Sequence, residues 1–293
     1  MRLETHPGYV IGRQARTYGY SKHIGEYAVA AAVNGMMAEG AGDIGISARI
    51  TVPVWWDSYG IHGIRKCIEG VCGEKGFRLL EIEELKSPAL PVAEVAVTGI
   101  SGTVKEGTCV VRNKVSAGQD IVLTKWIGME GMLRITEEKK EELAGRFAPG
   151  FLKQILSFRP EIFAEKEMGE IRKHGAAAIR QITEGGILAA LWYLSRDIQT
   201  GICLDMKNIS VLQETVEVCE HFRLNPYQLT SAGSFLVVAD QGEILRDRLL
   251  GCGVKAAVIG RVTDGHDKVI YNGEDIRYID RPAPDEIFRI FDI

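Results

Sequence analysis

The run Ala178-Ile179-Arg180-Gln181-Ile182-Thr183-Glu184-Gly185-Gly186-Ile187 has the pattern richest in chemistry in this chain. A short apolar stretch enters a Thr-Glu-Gly-Gly turn, and a helix predicted over Ile187 to Leu194 leaves it. Paired glycines let backbone approach a ligand closely, and the open N–H groups of a first helical turn suit a phosphate. Thr183, Gly185 and Gly186 are therefore candidate nucleotide-binding residues. The same glycines would also serve tight strand-to-helix packing, and the sequence leaves both readings open. Asn34, on a helix of small residues, is either a ligand-facing amide or a helix–helix hydrogen-bonding group. Glu81, Glu83 and Glu84 are the candidate metal ligands. Alternation sends Glu81 and Glu83 to one side of a strand, so a paired-carboxylate site is allowed beside the plainer reading of a solvated strand end. The pattern singles out no catalytic residue.

Weaker signals surround these. Lys22 and His23, with Arg13 and Arg16, would form a basic mouth for an anion or simply a solvated terminus. His174, His221 and His266 stand singly in helical or turn contexts that suggest no catalysis. Cys67 and Cys72, five apart on a predicted helix, lack zinc spacing and read as buried or partly buried thiols. Trp55-Trp56 marks either a partner surface or an aromatic plug. Asp264-Gly265-His266-Asp267 lacks the spaced oxygen ligands of a calcium loop and reads as a turn.

The elements that must position these residues follow from periodicity. Ile24 to Met37 carries a helical stripe that ends at Gly40 and Gly42, and Ile44 to Val54 is β-branched and alternating. Ser58 is the expected cap of a helix from Tyr59 to Glu74. Strands are predicted at Phe77 to Ile82 and Val92 to Thr98, and a turn at Asn113 to Gly118. A boundary near residue 115 separates an N-terminal domain, 1–115, from a C-terminal one, 116–293. In the second domain, strand Asp120 to Thr124 precedes a charged helix reaching Gly145 and a second helical stretch from Ala148 to His174, bent or broken at Pro160. Beyond the Gly-Gly helix come strand Gly201 to Leu204, helix Gln213 to Phe222, strand Phe235 to Ala239, helix Glu243 to Leu250 and strand Ala256 to Val262. A strand at Lys268 to Tyr271 ends on the hairpin signal Asn272-Gly273. The pattern is α/β, more closely α+β.

Composition narrows the classes. With 293 residues the chain has room for two cores, and 46% apolar with 25% charged residues is ordinary for a globular protein. A net charge of −4 gives no reason to expect nucleic acid or an anionic membrane as partner. No stretch approaches the roughly 20 apolar residues of a membrane span, and Met1 to Tyr20 has no apolar signal core. The six scattered cysteines fit reduced thiols in a cytoplasm.

The order of motifs resembles the AIR synthase superfamily, which includes phosphoribosylformylglycinamidine cyclo-ligases, hydrogenase maturation proteins of the HypE type, selenophosphate synthetases and thiamine-monophosphate kinases. Ala117-Gly118-Gln119-Asp120 to Thr124, with Gly128 and Gly131, is similar to its entry strand. Gln181 to Ile187 is similar to its D-x-T-x-G-G-L loop. Glu214 to Cys219, Leu224-Asn225-Pro226, Ser231-Ala232-Gly233 and Ala256 to Val262 complete the series. Ile24 to Asn34-Gly35 and Gly40-Ala41-Gly42 resemble the N-terminal helix more loosely. The resemblance implies an AIR synthase-like two-domain fold, with N-terminal sheets pairing in a homodimer, ATP in clefts near that interface and Mg²⁺ held by acidic residues.

The chain departs from the pattern at the charged positions. Gln181 stands for the loop Asp and Gly35 for the helix Asp, the early acidic strand is missing, and Glu81 to Leu85 replaces a Gly-Gly segment. Each lost charge-assisted bond would weaken metal and phosphate binding by roughly 1.5–3 kcal/mol. The chain also lacks the terminal cysteine of HypE-type proteins and the early nucleophile of selenophosphate synthetases. Two functions follow as expectations: an ATP-dependent enzyme that phosphorylates an amide or carboxylate-type oxygen, or a non-catalytic paralogue acting as a dimeric binding or regulatory protein, with a related maturation or synthase protein as a further partner.

Overall fold

A computed structural model describes residues 11–102 and 115–291. The chain divides into two compact units, Met1–Cys109 together with Ile293, and Val110–Asp292. The expected turn at Asn113 to Gly118 lies partly outside the described residues.

The first unit runs β1 (Ile11–Gly19), α1 (Ile24–Ala38), β2 (Gly45–Pro53), α2 (Ser58–Lys75), β3 (Arg78–Ser87) and β4 (Ala93–Ser101). Its four strands lie in the order β1-β4-β2-β3, with β2 and β3 parallel and the other pairs antiparallel. On one face Ile46, Ile50, Val95 and Val97 are wholly buried, together with Tyr27 and Val33 of α1 and Ile64 and Ile68 of α2. Burying aliphatic side chains of this size contributes about 1.5–3 kcal/mol each. α1 and α2 meet closely because Gly25 has no side chain: a Cβ there would lie 2.6 Å from Ile68 Cγ1.

Three expectations change here. The cap of α2 is Asp57, whose carboxylate accepts the Gly60 N–H at 2.9 Å, and not Ser58, which begins the helix. β1 has no counterpart among the predicted strands, because its alternation is weak and its pairing with β4 holds it. β3 extends to Ser87, beyond the predicted end at Ile82, because it pairs with β2 as far as Pro53. The tryptophans divide between the two readings: Trp56 is buried, while Trp55 is 66% exposed beside Tyr20.

The second unit runs β5 (Asp120–Thr124), α3 (Met129–Glu138), α4 (Lys140–Arg146), α5 (Pro149–Ser157), α6 (Glu165–His174), β6 (Ala178–Gln181), α7 (Gly186–Ile198), β7 (Gly201–Asp205), α8 (Gln213–Phe222), β8 (Phe235–Ala239), α9 (Gly242–Gly251), β9 (Ala256–Thr263), β10 (Lys268–Asn272) and β11 (Asp275–Tyr278). The seven strands lie in the order β11-β10-β7-β9-β5-β8-β6. Ile187, Ala190, Leu191 and Leu194 of α7 pack onto Ile202, Leu204, Leu236 and Val238 of the sheet. Of the two expectations for the helical stretch at Ala148 to His174, bent or broken at Pro160, the second holds: two helices are joined by a 3-10 turn at Arg159–Ile162. Pro160 offers no N–H and disfavours helical geometry at the residue before it, so the segment breaks there more than it bends. The Asn272-Gly273 signal makes the expected hairpin, with Asn272 opposite Asp275.

Candidate functional site

The Gly-Gly turn lies between β6, the outermost strand beside β8, and α7. Ile182 is buried and donates its N–H to the Ser234 carbonyl at 2.9 Å, whereas Thr183 and Glu184 are exposed. The Gly186 N–H closes the turn on the Thr183 carbonyl at 3.0 Å. Gly185 and Gly186 have φ of 82° and 65°, the left-handed region that a Cβ disfavours. Space excludes a side chain as well: a Cβ on Gly186 would lie 2.5 Å from the Tyr227 carbonyl oxygen, and one on Gly185 2.7 Å from Ala189 Cβ. Packing alone therefore requires both glycines.

The N–H of Gly185, the residue before α7, already has an anionic acceptor. Gly185 donates to Asp285 Oδ2 at 2.6 Å, and the same carboxylate accepts the Ile287 N–H at 2.9 Å. Asp285 is 2% exposed. Burial pushes its carboxyl up to about 6, against the lowering effect of those two N–H donors and of Arg134. Behind it, Arg134 donates to Glu130 at 3.1 Å, and Thr230 donates to the other oxygen of Glu130 at 2.7 Å. The Gly128 N–H donates to Ser231 Oγ. The motif segments around Gly128 and Ser231 thus meet in a buried polar network beside the turn. Nothing in the sequence pointed to Asp285, which follows the turn by 100 residues and stands in no motif.

Gln181, at the position of the family's Asp, pairs with Phe235 across β6 and β8. Its Nε2 is buried with no hydrogen-bond partner among the described residues. An amide donor left this way costs about 1–3 kcal/mol, which an acceptor oxygen of a ligand would recover.

Asn34 and the glutamates belong to the first unit. Asn34 is fully buried in α1, with Gly35 half-buried beside it. Glu83 is paired with Arg49 at 2.7 Å, and Glu84 with Arg65 of α2 at 2.6 Å. Register sets Glu81 and Glu83 opposite Ser47 and Arg49, on the sheet face turned away from the buried Ala48 and Ile50. Glu84 reaches the helix side, so the three carboxylates are not gathered, and arginines hold two of them. Mg²⁺ takes several hard oxygen ligands in near-octahedral array. With Glu83 and Glu84 in ion pairs and Glu84 on the other sheet face from Glu81 and Glu83, the three glutamates do not fit it.

A separate cavity of about 490 Å³ in the second unit is lined by Trp192, Ser195, Arg196, Thr200, His266 and Lys268, among others. Elsewhere Lys125 is buried with Glu167 at 2.7 Å and donates to the carbonyls of Glu161 and Phe163.

A two-unit α/β chain with a glycine-paired turn before a sheet-packed helix defines a class. The chain belongs to the AIR synthase related family: residues 116–272, more than half its length, match that family's C-terminal domain. The crystal structure of E. coli HypE, a hydrogenase maturation protein, is similar with a TM-score of 0.74 at 16% identity, covering 95% of this chain and 88% of that one. HypE in complex with ATP gives a TM-score of 0.73 at 15% identity, covering 99% and 89%. Thiamine monophosphate kinase from Aquifex aeolicus gives 0.69 at 14% identity, covering 92% and 90%. At such identities the likeness defines the fold, which is the AIR synthase-like one. No curated protein sequence matches the chain.

Proposed function

We propose that this chain is an ATP-binding protein of the AIR synthase type in which a neutral amide, Gln181, replaces a metal-held carboxylate at the nucleotide loop. The observation that carries this reading is the buried Gln181 Nε2, without an acceptor among the described residues, two residues before the Thr183–Gly186 turn. Structures of the same fold hold ATP, or AMPPCP together with TMP. By the family resemblance, the acceptor of a transferred phosphoryl group is an amide or carboxylate-type oxygen. The protein works as a homodimer through the open face of its four-stranded sheet, and HypE solved as a HypE–HypF complex supports a further protein partner of the maturation type. No helix among the described residues is long and apolar enough to cross a membrane, and the cytoplasm is the proposed compartment.

A second reading rests on the Gly185–Asp285 hydrogen bond. A carboxylate of the protein occupies the anion position at the start of α7, which favours a non-catalytic paralogue that keeps the fold for binding or regulation. Calorimetry with ATP, with and without Mg²⁺, separates the two. The first reading expects saturable binding with little Mg²⁺ dependence, weakened about tenfold in Gln181→Ala, the loss of roughly 1.4 kcal/mol. Absence of binding at millimolar ATP would leave the second reading. Nucleotide binding that emerges only in the double variant Gln181→Asp, Gly35→Asp would mark the unaltered site as vestigial.

A further inference from the structure

His23, Glu26 and Cys67 bring one nitrogen, one oxygen and one sulfur donor to a single point of the first unit. Cys67 Sγ lies 3.8 Å from His23 Nδ1. Glu26 Oε2 lies 3.6 Å from the same nitrogen, and all three donors fall within 4.8 Å of one another. The backbone brings them together. His23 is the residue before α1, and Glu26 is in the first turn of that helix, so a spacing of three sets their side chains on one face. Cys67 arrives from α2, across a crossing that glycines keep narrow on both sides. A Cβ on Gly25 would meet Ile68, the residue after Cys67, at 2.6 Å, and one on Gly63, a turn before it, would lie 3.4 Å from Lys22 Cβ.

The distances suit a particular kind of ion. Zinc bonds of about 2.3 Å to sulfur and about 2.0–2.1 Å to nitrogen or oxygen at tetrahedral angles set S and N about 3.5 Å apart and N and O about 3.4 Å apart. The observed separations of 3.8 and 3.6 Å are close enough for small side-chain rotations to close the S–N and N–O pairs. Mixed sulfur, nitrogen and oxygen donors disfavour Mg²⁺ and Ca²⁺ and suit a borderline-soft divalent ion. One thiolate and one carboxylate would neutralise its charge, which matters where the His23 and Glu26 side chains are only 24% and 14% exposed.

We infer that His23, Glu26 and Cys67 form a zinc-binding site with three protein ligands and a fourth position left to water. Cys67 in fact partners with residues about forty positions earlier in the chain, which is why its spacing to Cys72 gave no zinc signature. The inference is independent of the nucleotide reading, since it uses neither Gln181 nor the Thr183–Gly186 turn.

The full-length chain, chelator-stripped under a non-thiol reductant, would be titrated with Zn²⁺ against a chromophoric chelator and separately with Co²⁺. One equivalent should bind, and cobalt should give a near-ultraviolet thiolate charge-transfer band with visible absorption of a tetrahedral ion. Cys67→Ser should abolish that band and weaken zinc by more than about 100-fold, while Glu26→Gln should weaken binding but keep the band. If Cys67→Ser misfolds by circular dichroism, His23→Gln takes its place, with a loss of comparable size expected. Stoichiometric zinc retained in whichever of these two variants folds, or no tight zinc in the unaltered chain, would overturn the assignment.

Discussion

At the scale of single residues, Asp285 holds the Gly185 N–H of the Gly-Gly turn. Its folded carboxyl titrates near 6, against an ordinary value of 3.8. A raised carboxylate binds more protons folded than unfolded between those values, so its contribution to stability grows as pH falls from above 6 toward 4. The gap corresponds to roughly 3 kcal/mol at most. The stability of the native chain relative to Asp285→Asn, measured by urea unfolding, should therefore rise by a few kcal/mol from pH 7 to pH 4; a flat difference would contradict the assignment. Gly186→Ala is expected to cost about 2–4 kcal/mol, because a positive φ and the Tyr227 carbonyl both oppose the methyl. The sequence exposed the glycines and the Thr before them. It could not expose Asp285 or the Glu130–Arg134 pair, since burial and long-range contact, not local pattern, bring them to the turn.

Elements were more legible, because periodicity is local. α1, α2, β2, β4, α7 and the alternating elements after it follow the predicted order, with ends displaced by a few residues. The failures have physical causes. β1 and the second half of β3 are polar strands held in place by their neighbours. The same reasoning gives a stability test on α2. Gly70 is exposed there, and a Cβ at that position would meet nothing within 4 Å. Gly70→Ala should raise stability by about 0.5–1 kcal/mol through helix propensity. Gly25→Ala in α1 should lower it, since Ile68 would have to give way; thermal melts of the two variants should move in opposite directions.

For the molecule as a whole, the order of motifs carried the fold, and the family match over residues 116–272 agrees with it. The charged positions did not follow the motifs: two expected carboxylates are Gln181 and Gly35, and Glu83 and Glu84 are held by arginines. Motif order could locate the Gly-Gly turn but could not supply the acids. The proposed dimer is tested through Ala96 and Thr98, half-buried residues of β4 on the face turned away from the helices. Ala96→Arg should halve the mass seen by light scattering while leaving the circular dichroism intact.

The hairpin at the rim of the larger sheet has its own consequence. β11 ends the strand order, with Ile276 and Tyr278 57% and 66% exposed. A bare rim of this kind offers its outer backbone groups to any extended polypeptide, and only Asp275 and Arg277 stand guard against such recruitment. Neutralising both guards should make concentrated solutions grow into fibrous, thioflavin-positive assemblies, so handling and storage of this protein depend on a strand at the opposite end of the sheet order from the Gly-Gly turn.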